Sequence, residues 1–188
     1  LSFMKKKTLG TISDHKMFKP TDHILVAVSG GPDSVCLFHF LVKNFPDLRL
    51  GVIHINYQTR GADSEAEESY VRSLGRKYDV PVFVGKFRLK KEDSGFEERA
   101  RDLRYEYFDK IHAETGAQAV ALAHQRDDVV ETMLLNLWRG AGPRGLAGIP
   151  YKRDFVVRPF LDISRQDIMT YLRKNKISFR QDKSNYDI

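Results

Sequence analysis

The sequence predicts an α/β fold, a parallel sheet with helices on both faces. Two observations carry that expectation. Short apolar runs alternate along the chain with longer helical patterns, the order that parallel strands joined by crossover helices require. The first apolar run, Ile24 to Val28, also leads through Ser29-Gly30-Gly31-Pro32-Asp33-Ser34 directly into a helical pattern. A strand, a tight Gly-Gly turn and a helix start are the corner of such a sheet at which ligands collect.

Residues 1–22 are polar and poorly periodic, and read as a lead segment with a short helix ending at Pro20. Ile24 to Val28 is the first strand. Val35, Leu37, Phe38, Leu41 and Val42 form a wide apolar helical face, which Asn44, Pro46 and Asp47 end. Leu50 to Ile55 reads as a central strand buried on both faces. Glu65 to Tyr78 is a helix with Tyr70, Val71, Leu74 and Tyr78 inward, and Val80 to Val84 a third strand. Phe96 to Thr115 is a long charged helix that Gly116 is placed to end. Ala119 to Ala123 is the fourth strand. Asp127 to Arg139 is a helix with Val130, Met133, Leu134, Leu137 and Trp138 on one face. Gly140 to Pro150 is a glycine-rich loop, Phe155 to Pro159 a short edge strand, and Ser164 to Lys174 a last helix opened by a Ser164/Asp167 capping box.

The chain of 188 residues, 41 % apolar and 30 % charged, has the composition of a globular domain. No segment approaches the roughly 20 apolar residues of a membrane span. The Lys5-Lys6-Lys7 run is followed by polar residues, so no signal peptide is read and the expected location is cytoplasmic. A net charge of +6 favours a polyanionic partner. One cysteine, Cys36, excludes an internal disulfide, a Cys-x-x-Cys redox pair and a cysteine-held iron–sulfur cluster. Leu1 at the start and the abrupt stop at Ile188 suggest a piece of a longer chain, in which 1–22 is a lead segment and 23–188 one domain.

Two stretches carry chemistry. At Ser29 to Ser34, unpaired backbone N–H groups and the positive end of a helix dipole make an anion site, with Ser29 and Ser34 as added hydroxyl donors. At His124-Gln125-Arg126-Asp127-Asp128-Val129-Val130-Glu131-Thr132, three carboxylates cluster near a helix start. They suit an ammonium group or a metal ion. The same spacing, Asp128-x-x-Glu131, suits a capping box, so both readings stand. Gly140-Ala141-Gly142-Pro143-Arg144-Gly145 matches Gly-x-Gly-x-x-Gly but follows a helix and precedes none, so no dinucleotide site is read there. Arg104 lies among Glu97, Glu98 and Glu106, where surface ion pairs are common. Arg101 reads as surface.

The Ser-Gly-Gly-x-Asp-Ser stretch resembles the PP-loop of the N-type ATP pyrophosphatases. The His124 to Thr132 stretch resembles the His-x-x-Asp-Asp-x-x-Glu-Thr motif of one branch, the tRNA(Ile) lysidine synthetases. Arg139 to Ile149, His54-Ile55-Asn56 with Arg60, Arg104-Tyr105, Arg158-Pro159-Phe160-Leu161 with Arg165, and Asp182-x-Ser184-Asn185 resemble other motifs of that branch, in order. Tyr57 and Gln125 stand where histidines are expected, and Pro143 where an aliphatic residue is more usual.

The resemblance implies the adenine nucleotide α-hydrolase-like, Rossmann-like form of the fold, with ATP and Mg2+ as cofactors. It implies ligation of L-lysine to C2 of the wobble cytidine of a tRNA(Ile) with a CAU anticodon, through an adenylated cytidine. Ser29, Gly30, Gly31, Pro32, Asp33, Ser34, His54, Ile55 and Asn56 would bind ATP, with Asp33 holding magnesium. Asp127, Asp128 and Glu131 would hold lysine, and Arg139 and Arg144 would touch RNA. Asp33, Arg104, His124, Asp128 and Glu131 would be catalytic, with a carboxylate or His124 taking the lysine proton. No membrane partner is implied, and the oligomeric state, a homodimer included, is open. Another adenylating PP-loop enzyme acting on tRNA and a non-catalytic nucleotide-binding module remain as alternatives.

Overall fold

The computed structural model describes residues 3–59, 61–90, 94–140 and 148–180. Within these residues lie strands β1 (His23–Ala27), β2 (Arg49–Asn56), β3 (Val82–Lys86), β4 (Ala119–Ala121), β5 (Lys152–Arg153) and β6 (Val156–Val157). They form one sheet in the order β3-β2-β1-β4-β6-β5, parallel except for the β5–β6 pair. The helices are α1 (Phe3–Asp14), α2 (Pro32–Asn44), α3 (Ala62–Tyr78), α4 (Phe96–Thr115), α5 (Arg126–Trp138) and α6 (Arg165–Lys174).

Successive residues of a strand point to opposite faces, and β1 shows it. Ile24 and Val26 enter a core with Phe38, Phe40, Leu41, Val71, Phe160 and Ile168. Leu25 enters a second core with Ile53, Phe108, Ile111 and Val120. The first core is covered by α2, α3 and α6, the second by α4. This is the expected sheet with helices on both faces.

The strand path fixes where a cleft can open. From β1 the chain steps outward through β2 to β3. It then returns to the other flank of β1, where Ile24 pairs with Ala119 and Val26 with Ala121 of β4. The order reverses between β1 and β4, the position at which open α/β sheets bind ligands.

Four local expectations are corrected. The helix of the lead segment runs from Phe3 to Asp14 and stops well before Pro20. Its buried residues are Met4, Thr8, Thr11 and Ile12, and two threonines in that stripe hide its periodicity. The third strand begins at Val82, because Val80 N is spent on Gly75 O and Pro81 has no N–H to give. Val156–Val157 is internal, paired with β4 on one side, and the edge strand is Lys152–Arg153. The apolar face of α5 is uncovered: the helix has no buried residue, and Leu134 is 60 % and Trp138 92 % exposed.

A polar clip ties α3 to the outer strands. Glu68 is buried and accepts hydrogen bonds from Asn56 Nδ2 at 3.0 Å and Arg72 Nε at 3.0 Å, with Lys86 Nζ at 2.9 Å. Burial alone would push its carboxyl up, but these partners hold it down to about 2.

Candidate active site

The turn after β1 is closed by its own serines. Ser34 Oγ donates to Gly31 O at 3.0 Å and accepts from Ser29 N at 3.2 Å. Ser29 Oγ lies 3.1 Å from Ser34 Oγ and accepts from Gly31 N at 3.3 Å. The two hydroxyls read as extra ligand donors are therefore occupied in shaping the loop. Gly30 adopts φ +101°, a backbone that a side chain strains against. Gly31 caps α2, and Pro32 follows at its first turn, where its missing N–H costs nothing.

Asp33 points into the site with one oxygen unsatisfied. Its Oδ1 is buried with no hydrogen-bond partner, and its Oδ2 lies 4.0 Å from Arg165 Nη1. Burial pushes this carboxyl up, the Arg165 cation pulls it down, and Asp128 and Asp127 push it up again. Asp33 and Asp128 line one cavity, which sets the loop carboxylate across from the start of α5. An orphaned oxygen beside like charges is what a cation would relieve. Among the described residues no three His, Cys, Asp or Glu side chains form a metal cage. Asp33 therefore fits magnesium in the manner in which one carboxylate and phosphate oxygens share it.

A cavity of about 340 Å³ opens above this loop. Its apolar wall comes from Ala27, Ile53, Ile55, Phe108 and Leu122, and its polar rim from Ser29, Asp33, Arg104, His124 and Asp128. The expected trio after the second strand divides by strand parity. Ile55 lines the cavity, while His54 and Asn56 face the other side of the sheet and are buried there. His54 Nδ1 lies 2.8 Å from Val28 O, bracing the residue just before the loop, and Asn56 serves Glu68. Alternation along β2 was the signal available in the sequence, and it also points to Ile53.

A second cavity of about 1300 Å³ adjoins the first and shares Tyr57, Arg104 and His124 with it. It is ringed by Arg101, Arg104, Arg139, Arg153 and Arg158, with Phe96 and Tyr105 among them. Arg104 Nε donates to Tyr57 Oη at 3.2 Å, and Tyr57 Oη donates to Ala100 O at 2.7 Å. Arg104 is thus aimed by a tyrosine, not paired along its own helix. Arg101, read as plain surface, also reaches this cavity and stacks over Tyr105 at 5.9 Å. Arg144 and the Asp182-x-Ser184-Asn185 motif lie outside the described residues.

The start of α5 settles the capping question. Gln125 is the N-cap: its Oε1 accepts from Asp127 N at 2.9 Å, and its own N–H donates to Asp128 Oδ2 at 2.8 Å. The capping box is therefore Gln125/Asp128, not Asp128/Glu131, and it occupies one oxygen of Asp128. Of the three carboxylates only Asp128 lines the nucleotide-sized cavity. Asp127 and Glu131 border a shallow hollow with Val130, Leu134, Leu135 and Trp138.

His124 sits where the two large cavities meet. Burial, then the Arg158 cation, draw its imidazole down to about 4; Asp128 opposes, and Arg104 and Arg101 reinforce. At neutral pH it is uncharged. Arg158, absent from the residues singled out for chemistry, is itself buried and contacts His124.

A PP-loop domain model matches residues 4–188. The chain belongs to the PP-loop family. A tRNA(Ile)-lysidine synthase of Clostridium tetani is 39 % identical over 187 residues, which cover 95 % of this chain and 40 % of that relative. One from Porphyromonas gingivalis is 43 % identical over 187 residues, covering 94 % and 40 %. The chain thus spans about two fifths of the length of these curated relatives. In structure, the U34-tRNA thiolase NcsA of Methanococcus maripaludis matches with a TM-score of 0.78 at 17 % identity, over 98 % of this chain and 67 % of that one. The NH3-dependent NAD synthetase of Campylobacter jejuni matches at 0.60 and 11 %, over 93 % and 72 %. Both likenesses speak for the fold.

Proposed function

We propose that this chain, with 23–188 as its catalytic domain, is the ATP-using part of a cytoplasmic tRNA(Ile)-lysidine synthetase. The observation that carries the reading is the meeting of two unlike cavities at Arg104 and His124. One is a phosphate loop with an apolar pocket of nucleotide size. The other is ringed with arginine and aromatic side chains, suited to an unstacked base and its phosphates. Relatives that match nearly the whole of this chain across two fifths of their own length, named tRNA(Ile)-lysidine synthases, support the choice of substrates.

In this reading ATP lies with its phosphates on the loop and its adenine against Ile53, Ile55, Phe108 and Leu122. The cytidine enters from the arginine side. Its O2 attacks the α-phosphorus, the new O–P bond forms as the bond to the β-phosphate oxygen breaks, and pyrophosphate leaves with the electron pair. Backbone N–H groups at the start of α2 and the Arg104 cation stabilise the charge that builds on the phosphoryl oxygens. A magnesium ion held by Asp33 would neutralise the leaving pyrophosphate. The lysine ε-amine then forms its bond to C2 and AMP departs with O2. A proton from the attacking nitrogen passes to a carboxylate at the start of α5. The hollow beside Asp127 and Glu131 offers carboxylates for the ammonium groups and apolar wall for a methylene stem.

The test uses the longest natural form of the protein with ATP, radiolabelled lysine and unmodified tRNA(Ile) carrying CAU. Label should enter the RNA, require ATP, and fall by more than about a hundredfold in Asp33→Asn. Pyrophosphate release stimulated by the RNA, without label, would retain the adenylating chemistry and reject lysine as the nucleophile. ATP binding with neither signal would overturn the enzyme reading in favour of a binding module.

A further inference from the structure

Arg158 follows β6 and is 5 % exposed. Its guanidinium makes three hydrogen bonds: Nη1 to Pro150 O at 2.9 Å, Nη2 to Tyr105 Oη at 3.3 Å and Nε to His124 Nδ1 at 3.3 Å. All three acceptors are neutral, and its backbone N–H is fixed on Tyr151 O at 2.9 Å. The guanidinium cannot turn away without leaving a carbonyl and a phenol unserved. An arginine also cannot give up its proton in a protein. The imidazole nitrogen that it meets must therefore bring a lone pair. In a neutral imidazole the proton is then on the other nitrogen, Nε2.

We propose that Arg158 is a positioning residue that locks His124 as the Nε2–H tautomer, making His124 a hydrogen-bond donor to the reacting phosphoryl group and not a proton acceptor. The lock stands on the geometry alone, while its use rests on the adenylation reading above. His124 lines both cavities, and with Nδ1 spent on Arg158 the Nε2–H is the ring's remaining polar group, assigned here to the meeting point of the α-phosphate and the incoming oxygen. A neutral donor there stabilises a developing negative oxygen without having to release a proton. The groups that face the ring agree: Arg158 from after β6, and Arg104 and Arg101 from α4, all oppose a charged imidazole, with Asp128 of α5 alone favouring it. Proton removal from the attacking amine thus falls to the carboxylates. The arrangement follows the general rule that the partner of one ring nitrogen decides what the other can do.

The experiment uses the full-length natural protein labelled with nitrogen-15 histidine. Long-range proton–nitrogen correlation spectra distinguish the two neutral tautomers and the cation, and His124→Gln assigns the signal by its loss. The wild type should show an unprotonated Nδ1 and a protonated Nε2 at pH 7. In Arg158→Met the signal should become a mixture and titrate nearer the ordinary histidine value of about 6.5. RNA-stimulated pyrophosphate release should fall by about tenfold to a hundredfold, with a new inflection in its pH profile. Arg158→Lys, which retains a cationic donor, should restore part of both. In a His124→Gln background, where an amide donor replaces Nε2–H, Arg158→Met should add less than about a twofold loss.

A protonated Nδ1 or a cationic ring in the wild type would overturn the lock without any variant being needed. An Arg158→Met loss of equal size in both backgrounds would overturn the positioning role and leave Arg158 as a brace for Pro150. The expected tautomer without any pyrophosphate release would uphold the lock and reject the adenylation reading, so the two failures are told apart.

Discussion

The corner around the phosphate loop and the helix that faces it, α5, are built on opposite terms. At the corner β1 is buried on both faces, the loop serines satisfy one another, and Phe38 and Leu41 of α2 are fully enclosed. Helix α5 is capped as carefully, by Gln125 and Asp128, yet it buries none of its residues and presents Leu134, Leu137 and Trp138 to solvent. Both carry groups of the candidate site. The lesson is that capping and packing are separable: α5 has its start positioned by hydrogen bonds just after the inner strand β4, while its length adds little to the core of this chain.

That contrast can be broken in order of effect. Phe38→Ala removes a ring enclosed by Tyr78 and the β1 side chains, and should cost about 3–5 kcal/mol in urea unfolding. A cost under about 1 kcal/mol would mean that the corner is not the stable part. Next, Glu68→Gln should cost about 2 kcal/mol by loss of charge-assisted bonds from Lys86 and Arg72. Its pH dependence has a definite sign. The carboxyl is held at about 2 against an ordinary 4.5, so its contribution is complete above about 4.5 and disappears as pH falls towards 2. The wild type should therefore lose its advantage over the variant across that window, and a constant gap would refute the assignment. Gly30→Ala should cost about 1–2 kcal/mol because of its positive φ, with weakened ATP binding measured by calorimetry. Last, Leu134→Ser with Leu137→Ser should change unfolding by no more than about 0.5 kcal/mol, since both are already exposed. A loss as large as that of Phe38→Ala would show that α5 is covered in solution.

Much of the fold was legible in the sequence because its signals are local. The Gly-Gly turn with Pro32 and Asp33, the glycine after Thr115 and the Ser164/Asp167 box each act within a few residues. The long helix from Phe96 to Thr115 came out with the bounds read for it. The site was legible in part. Asp33, Arg104, His124 and Asp128 do converge on one cavity, while His54 and Asn56 turn away and Glu131 borders a different hollow. The helix Phe3–Asp14 was blurred because threonines replace half of its buried stripe.

By itself the sequence determined the alternation of strands and helices, the phosphate-binding corner and the cluster of charge at the start of α5. These depend on periodicity and short spacing, which the chain carries wherever it folds. Only the tertiary structure decided that Val156–Val157 is an inner strand, that α5 leaves its apolar face open, and that Arg158 meets His124 across 34 residues of chain. A hydrophobic pattern states that a face is apolar but not what covers it, and a side chain's hydrogen-bond partner is chosen by which strands come to lie side by side.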